Sequence, residues 1–197
     1  MTHGMWAAIG NLGDAALTLP LAVVCFAWLT RSLHGWRIGV SWLMLLAAGM
    51  LIVGTTKILH AGCGMEIHAI NFRVVSGHTM LATTVWPMAC LLILHDGWRV
   101  RTRAALLPGL VLATAIGIAR VLAEVHTASE IIAGWMLGVL VTVLLLRKWK
   151  QAPVLPPWLR PVAAGSVLVV SGVAYGHHAP IQAAIETYSP FLCARFG

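Results

Sequence analysis

Six apolar runs of about twenty residues each, separated by short polar connections, leave this chain few folds to adopt. They fall at roughly 14 to 31, 38 to 59, 77 to 95, 104 to 123, 128 to 147 and 161 to 179. A segment of that length in hydrocarbon has to satisfy its backbone polar groups internally, so each run predicts a membrane-spanning helix. Composition agrees: 59% of the 197 residues are hydrophobic and 10% are charged, where a soluble domain carries about 25%. The expected fold class is all-α, an integral-membrane bundle of six transmembrane helices in a single domain over residues 1–197. Pro20, Pro87 and Pro108 fall in or near these runs, which membrane helices tolerate when neighbours satisfy the freed carbonyls.

Charge placement orients the bundle. Of the thirteen Lys and Arg residues, nine (Arg31, Arg37, Arg99, Arg101, Arg103, Arg147, Lys148, Lys150 and Arg160) follow the first, third and fifth runs. The positive-inside rule makes those connections cytoplasmic. Both termini and the connections 60 to 76 and 124 to 128 then share the opposite face, the periplasmic one in a bacterial inner membrane. Trp28, Trp36, Trp98, Trp149 and Trp158 sit near the cytoplasmic ends as interfacial anchors. The formal charge of +7 thus reports topology and not a nucleic-acid partner. The N-terminal stretch lacks a basic segment ahead of its apolar run, so the first span is expected to be retained.

Four cations escape this sorting: Lys57, Arg73, Arg120 and Arg195. The first three flank the outer connections that also hold His78 and His126. Single cations at helix ends commonly snorkel to headgroups, but three converging on two loops suggest a binding task. Ser76-Gly77-His78-Thr79 opens the third run, where unpaired backbone N–H groups favour an anion and a glycine lets it approach. Taken alone, the tetrapeptide reads first as a serine N-cap beside an incidental histidine. His126 and Glu130 stand four residues apart, on one helix face. A carboxylate there either caps the helix or fixes the imidazole tautomer, freeing the second ring nitrogen as base or nucleophile. Arg120 offers a planar fork of donors suited to phosphate oxygens.

Ser76-Gly77-His78, followed by Arg120-x5-His126-x3-Glu130, resembles the second and third motifs of the type 2 phosphatidic acid phosphatase superfamily, PSGH and SRx5Hx3D. Val75 stands for the usual proline, Ala119 for the serine and Glu130 for the aspartate. The first motif, Kx6RP, is broken, because Lys57 plus seven is Gly64. The resemblance implies that His126 is a nucleophile forming a phosphohistidine, with Glu130 orienting it and His78 protonating the leaving oxygen. Lys57, Arg120, Ser76 and Gly77 would hold phosphoryl oxygens, and Arg73 would supply the missing first-motif guanidinium. No metal or cofactor is required by this scheme. Cys63-Gly64-Met65-Glu66 ahead of the Ser-Gly-His-Thr stretch is also similar to the sphingomyelin synthase branch, which transfers a headgroup to an alcohol instead of water.

The resulting expectation is a lipid phosphatase acting on undecaprenyl diphosphate, phosphatidylglycerol phosphate, phosphatidic acid or lipid A phosphates. Its rivals are a lipid phosphotransferase and a non-catalytic lipid-binding protein. Glu66 and Glu124 are candidates for shaping substrate choice or pairing with the cations. His60, His68 and the pair His177-His178 show no metal-ligand spacing and are read as interfacial. Cys63 and Cys193 both fall on the outer face, where a disulfide is expected between them. From Ile181 the tail has apolar residues at roughly helical spacing up to Pro190, predicting an interfacial cap.

Overall fold

The helix that carries the serine-glycine-histidine stretch, α4 (Gly77–Leu94), is the axis of the bundle. It packs against α2 (Ala15–Leu29), α3 (Gly35–Cys63), α5 (Arg99–Leu122), α6 (Ala128–Lys148) and α7 (Arg160–Ala174). Two further helices, α1 (Thr2–Asn11) and α8 (Ile181–Tyr188), lie outside the six expected runs. The structure is a computed structural model that describes residues 2–31, 35–95, 99–148 and 155–189. Trp98, Trp149, Lys150, Cys193 and Arg195 lie outside the described residues.

Six segments among these residues are long and apolar enough to cross a membrane. The molecule is an all-helical, multi-pass membrane protein. Large apolar side chains on the outer surface, among them Val23, Leu51, Val111, Met136 and Leu168, are more than 60% exposed, as lipid-facing positions should be. Two ends depart from the expected ones. The sequence predicts the first span at 14 to 31, but α2 alone is 15 residues, about 22 Å long. It is preceded by α1, so that the apolar segment runs from Gly4 to Leu29 across a break at Asp14. The last span stops at Ala174 and not near 179, because Tyr175 turns extended and Gly176 takes a left-handed φ of 83°.

The interior of α4 is rich in threonine, and each hydroxyl finds an acceptor. Thr83 and Thr84 donate to the carbonyls of Thr79 and Met80 at 2.7 and 2.9 Å. Pro87 has no N–H, so the carbonyl of Thr83 loses its helical donor. The Thr142 hydroxyl of α6 is shared between that oxygen, at 3.3 Å, and the Gly138 carbonyl of its own helix, at 3.1 Å, one way a membrane bundle accommodates a proline.

Close crossing of α4 and α5 depends on Gly109. A Cβ there would lie 2.4 Å from the Pro87 nitrogen and 2.5 Å from its Cα, both backbone atoms that cannot swing aside. Gly109→Ala is therefore expected to force the helices apart and to destabilise the protein by about 1–3 kcal/mol. Thermal unfolding in detergent would show this as a lowered midpoint, and an unchanged midpoint would contradict the tight crossing.

Candidate functional site

The start of α6 is built by reciprocal capping. Thr127 Oγ1 accepts from the Glu130 N–H at 3.4 Å, and Glu130 Oε2 accepts from the Thr127 N–H at 3.2 Å. This Thr-x-x-Glu capping box fixes the Glu130 rotamer. The same Oε2 lies 2.7 Å from His126 Nδ1, so capping and imidazole orientation are one arrangement and not alternatives. Glu130 Oε1 accepts from the backbone N–H and the Nε–H of Arg73, at 3.2 and 3.3 Å. Four donors thus surround a carboxylate that is fully buried, which matches the capacity of its two oxygens. An ionised carboxylate only accepts, so in the neutral ring Nδ1 carries the proton and Nε2 carries the lone pair.

His126 is positioned from the other side as well. The Arg120 carbonyl, at the end of α5, accepts from the backbone N–H groups of Val125 and His126 at 3.1 and 3.3 Å. The chain reaches this geometry through Glu124, whose left-handed φ of 56° closes the helix. Burial pushes the His126 imidazole below its ordinary value, and the hydrogen bond to Glu130 opposes this in part. The ring is consequently a neutral base near pH 7.

A cavity of about 790 Å³ opens in front of this pair. Lys57, Arg73, His78, Arg120, His126 and Glu130, six of the residues singled out in the sequence, all line it. They come from the end of α3, the connection before α4, the first turn of α4, the end of α5, the connection after it and the start of α6. Arg120 Nε is buried with no hydrogen-bond partner among the described residues, and its stem lies against α1 where Gly10 leaves room. Lys57 Nζ donates to Gln182 Oε1 of α8 at 2.7 Å, and Gln182 in turn donates to Glu186 at 2.8 Å.

Other expected residues sit elsewhere. Ser76 is fully buried as the N-cap of α4, its Oγ accepting from the Thr79 N–H at 3.4 Å. It does not line the cavity, and its backbone N–H donates to the Glu130 carbonyl, tying α4 to α6. Gly77 lines a smaller, mainly apolar pocket of about 110 Å³ that shares Asp14, Lys57 and His78 with the large cavity. Glu66 pairs with His68 at 3.1 Å and not with Lys57 or Arg73. Glu124 is exposed and outside the cavity lining. Cys63 is disulfide-bonded, and Cys25 and Cys90 are free thiols. Cys193, the partner expected for Cys63, is outside the described residues.

Sequence reading missed Asp14, Gln182, Glu186 and the cavity positions of His60 and His178. Asp14 had a local signal, a lone acid ahead of an apolar run, which identifies a helix N-cap. It is one: Oδ1 accepts from the Ala16 N–H at 2.8 Å. Its approach to His78, 64 residues later in the chain, leaves no trace in local pattern.

The all-helical membrane bundle thus gathers a histidine–carboxylate pair, a second candidate histidine and three cations around one cavity, a set of groups able to hold a phosphoryl group. Residues 54–153 match the family model of the PAP2 superfamily, and the chain belongs to that superfamily. A protein of Klebsiella pneumoniae, named as an uncharacterized 22.5 kDa protein in cps region, is 33% identical over 153 residues. The match covers 75% of this chain and 71% of that one. No solved structure matches the chain. Membership supports phosphatase-type activity on lipid phosphates. The matched segment contains Lys57, Arg73, His78, Arg120, His126 and Glu130, while Asp14 and all of α8 lie outside it.

Proposed function

We propose that this protein is a lipid phosphate or diphosphate phosphatase working by double displacement through His126, with its site at the periplasmic face of a bacterial inner membrane. The observation that carries the reading is the 2.7 Å contact between His126 Nδ1 and the buried Glu130, which leaves Nε2 as a free nucleophile on a cationic cavity. Nε2 attacks phosphorus, and the bond from phosphorus to the lipid-side oxygen breaks. His78 gives that oxygen its proton, and a phosphohistidine remains. His78, now neutral, takes a proton from water as the water oxygen attacks phosphorus. The N–P bond breaks, its electron pair returns to Nε2 and inorganic phosphate leaves. Arg120, Lys57 and Arg73 offset the negative charge on the phosphoryl oxygens in transit. The apolar pocket beside Lys57 and His78 suits the start of a hydrocarbon tail. A polyprenyl diphosphate is the favoured substrate, since the cationic cavity suits its phosphates and the apolar pocket adjoining it suits its tail.

Purified protein in detergent, incubated with a panel of lipid mono- and diphosphates, is expected to release inorganic phosphate. A phosphorylated acceptor lipid in place of free phosphate would make it a transferase, and no turnover of any member would overturn the reading. The pH profile adds a sign. His126 has to be neutral to attack, and its ionisation lies below the ordinary 6.5. Activity should therefore hold as pH falls to 6.5 and be lost only at lower pH, on the acid limb of a bell. An acid limb centred above 6.5 would count against His126 as the nucleophile.

A further inference from the structure

We infer that Asp14 is a positioning residue for His78, forming a second histidine–carboxylate pair across the cavity from His126 and Glu130; this rests on the phosphatase reading above. Asp14 is 7% exposed and its Oδ2 lies 3.4 Å from His78 Nε2. Capping α2 needs only one acceptor oxygen, and Oδ1 serves it, also receiving the Ala179 N–H at 3.2 Å. A serine or asparagine would cap as well. The cap therefore does not need the second oxygen, while a buried carboxylate inside a membrane protein is costly unless it meets a cationic or donor group. It meets two: His78, and His178 Nδ1 at 3.3 Å.

The backbone is shaped for this approach. Gly13 lies so close to His78 that a Cβ would stand 2.9 Å from its carbonyl oxygen and 3.3 Å from its Cβ. The break between α1 and α2 thus docks on the first turn of α4, where the proposed proton donor sits. With Nε2 turned to Asp14, Nδ1 of His78 is left to face the departing oxygen. The carboxylate fixes the ring plane and offsets the positive charge that His78 carries before it protonates the leaving group and again after it accepts the proton of water.

Two measurements on Asp14→Asn decide the matter, because asparagine keeps the cap. The first compares farnesyl phosphate with farnesyl diphosphate, whose tails are identical but whose leaving groups differ. An alkoxide has to be protonated as it departs, whereas a phosphate ester departs readily as an anion. The variant is expected to lose about 10- to 100-fold in kcat on the monophosphate and only about threefold or less on the diphosphate. Equal losses on both, the mark of a merely structural role, or no loss on either, would overturn the inference while leaving the phosphatase reading intact. Wild-type protein that cleaves neither of these nor any other member of the panel overturns both. The second needs no turnover: nitrogen-15 spectra of histidine-labelled protein, with the His78 signals identified by their loss in His78→Gln. Asp14→Asn should move the His78 ring resonances and leave those of His126 in place. Unchanged His78 resonances would overturn the inference even where only one of the two substrates is cleaved.

Discussion

His126→Ala is expected to release phosphate at least about a thousandfold more slowly than wild type, the scale on which removal of a covalent nucleophile usually registers. The other imidazoles of the cavity, His60, His78 and His178, have other partners and lack the buried Glu130 beside them. His78 is turned toward Asp14 by its Nε2, and His60 is engaged through Nδ1 with the Met65 carbonyl at 3.1 Å. The fold should survive the change, which makes the result interpretable. The His126 backbone is held to the Arg120 carbonyl whatever its side chain, and Glu130 keeps the donors from Thr127 and Arg73. Phosphate release from a lipid phosphate, with thermal unfolding measured in parallel, is the check. Retention of more than a tenth of wild-type activity by a normally folded variant would remove His126 from the chemistry. Acid-quenched wild type should in addition carry an acid-labile phosphoryl group that the variant lacks.

Helices and their charged ends were legible because both follow from one energetic constraint. Hydrocarbon excludes charge, so Lys57, Arg73, Arg120 and Glu130 had to sit at the ends of apolar runs. Alternation of helix direction then carries the ends of α3 and α5 and the starts of α4 and α6 to the same side. What remained illegible is contact between segments remote in sequence. Ser76 could be read as cap or ligand, and only burial of its hydroxyl against Thr79 places it as a cap. Glu130 likewise admitted two local readings, and the structure unites them because one oxygen can accept from both Thr127 and His126. Asp14 declared its capping role but not its neighbour across the cavity. The spacing of the tail predicts an interfacial helix, yet nothing local indicates that Gln182 reaches Lys57. For Asp14 and for the tail a short-range pattern is visible and its partner across the cavity is not.

Glu130→Gln tests the most connected of these residues and should affect activity and stability together. The carboxylate accepts four donors at full burial. Glutamine has one oxygen, and its amide donors must face either the Arg73 pair or the pair formed by His126 and Thr127. If the amide faces His126, Nδ1 must become the acceptor and Nε2 takes the proton, which removes the nucleophilic lone pair; a loss near 10⁴-fold in kcat is expected on the scale of such tautomer errors. If it faces Arg73, donors oppose donors, and a buried polar cluster with its charge removed costs about 3 kcal/mol. Glu130→Asp keeps the charge on a stem one methylene shorter. It cannot span both the Arg73 and His126 contacts, so it should retain more activity than the glutamine variant. Measured kcat and the detergent unfolding midpoint for the two variants give a clear ordering: wild type above aspartate above glutamine in activity, with glutamine the least stable. A glutamine variant as active as wild type would show that the carboxylate only caps the helix, and the histidine-nucleophile scheme would lose its support.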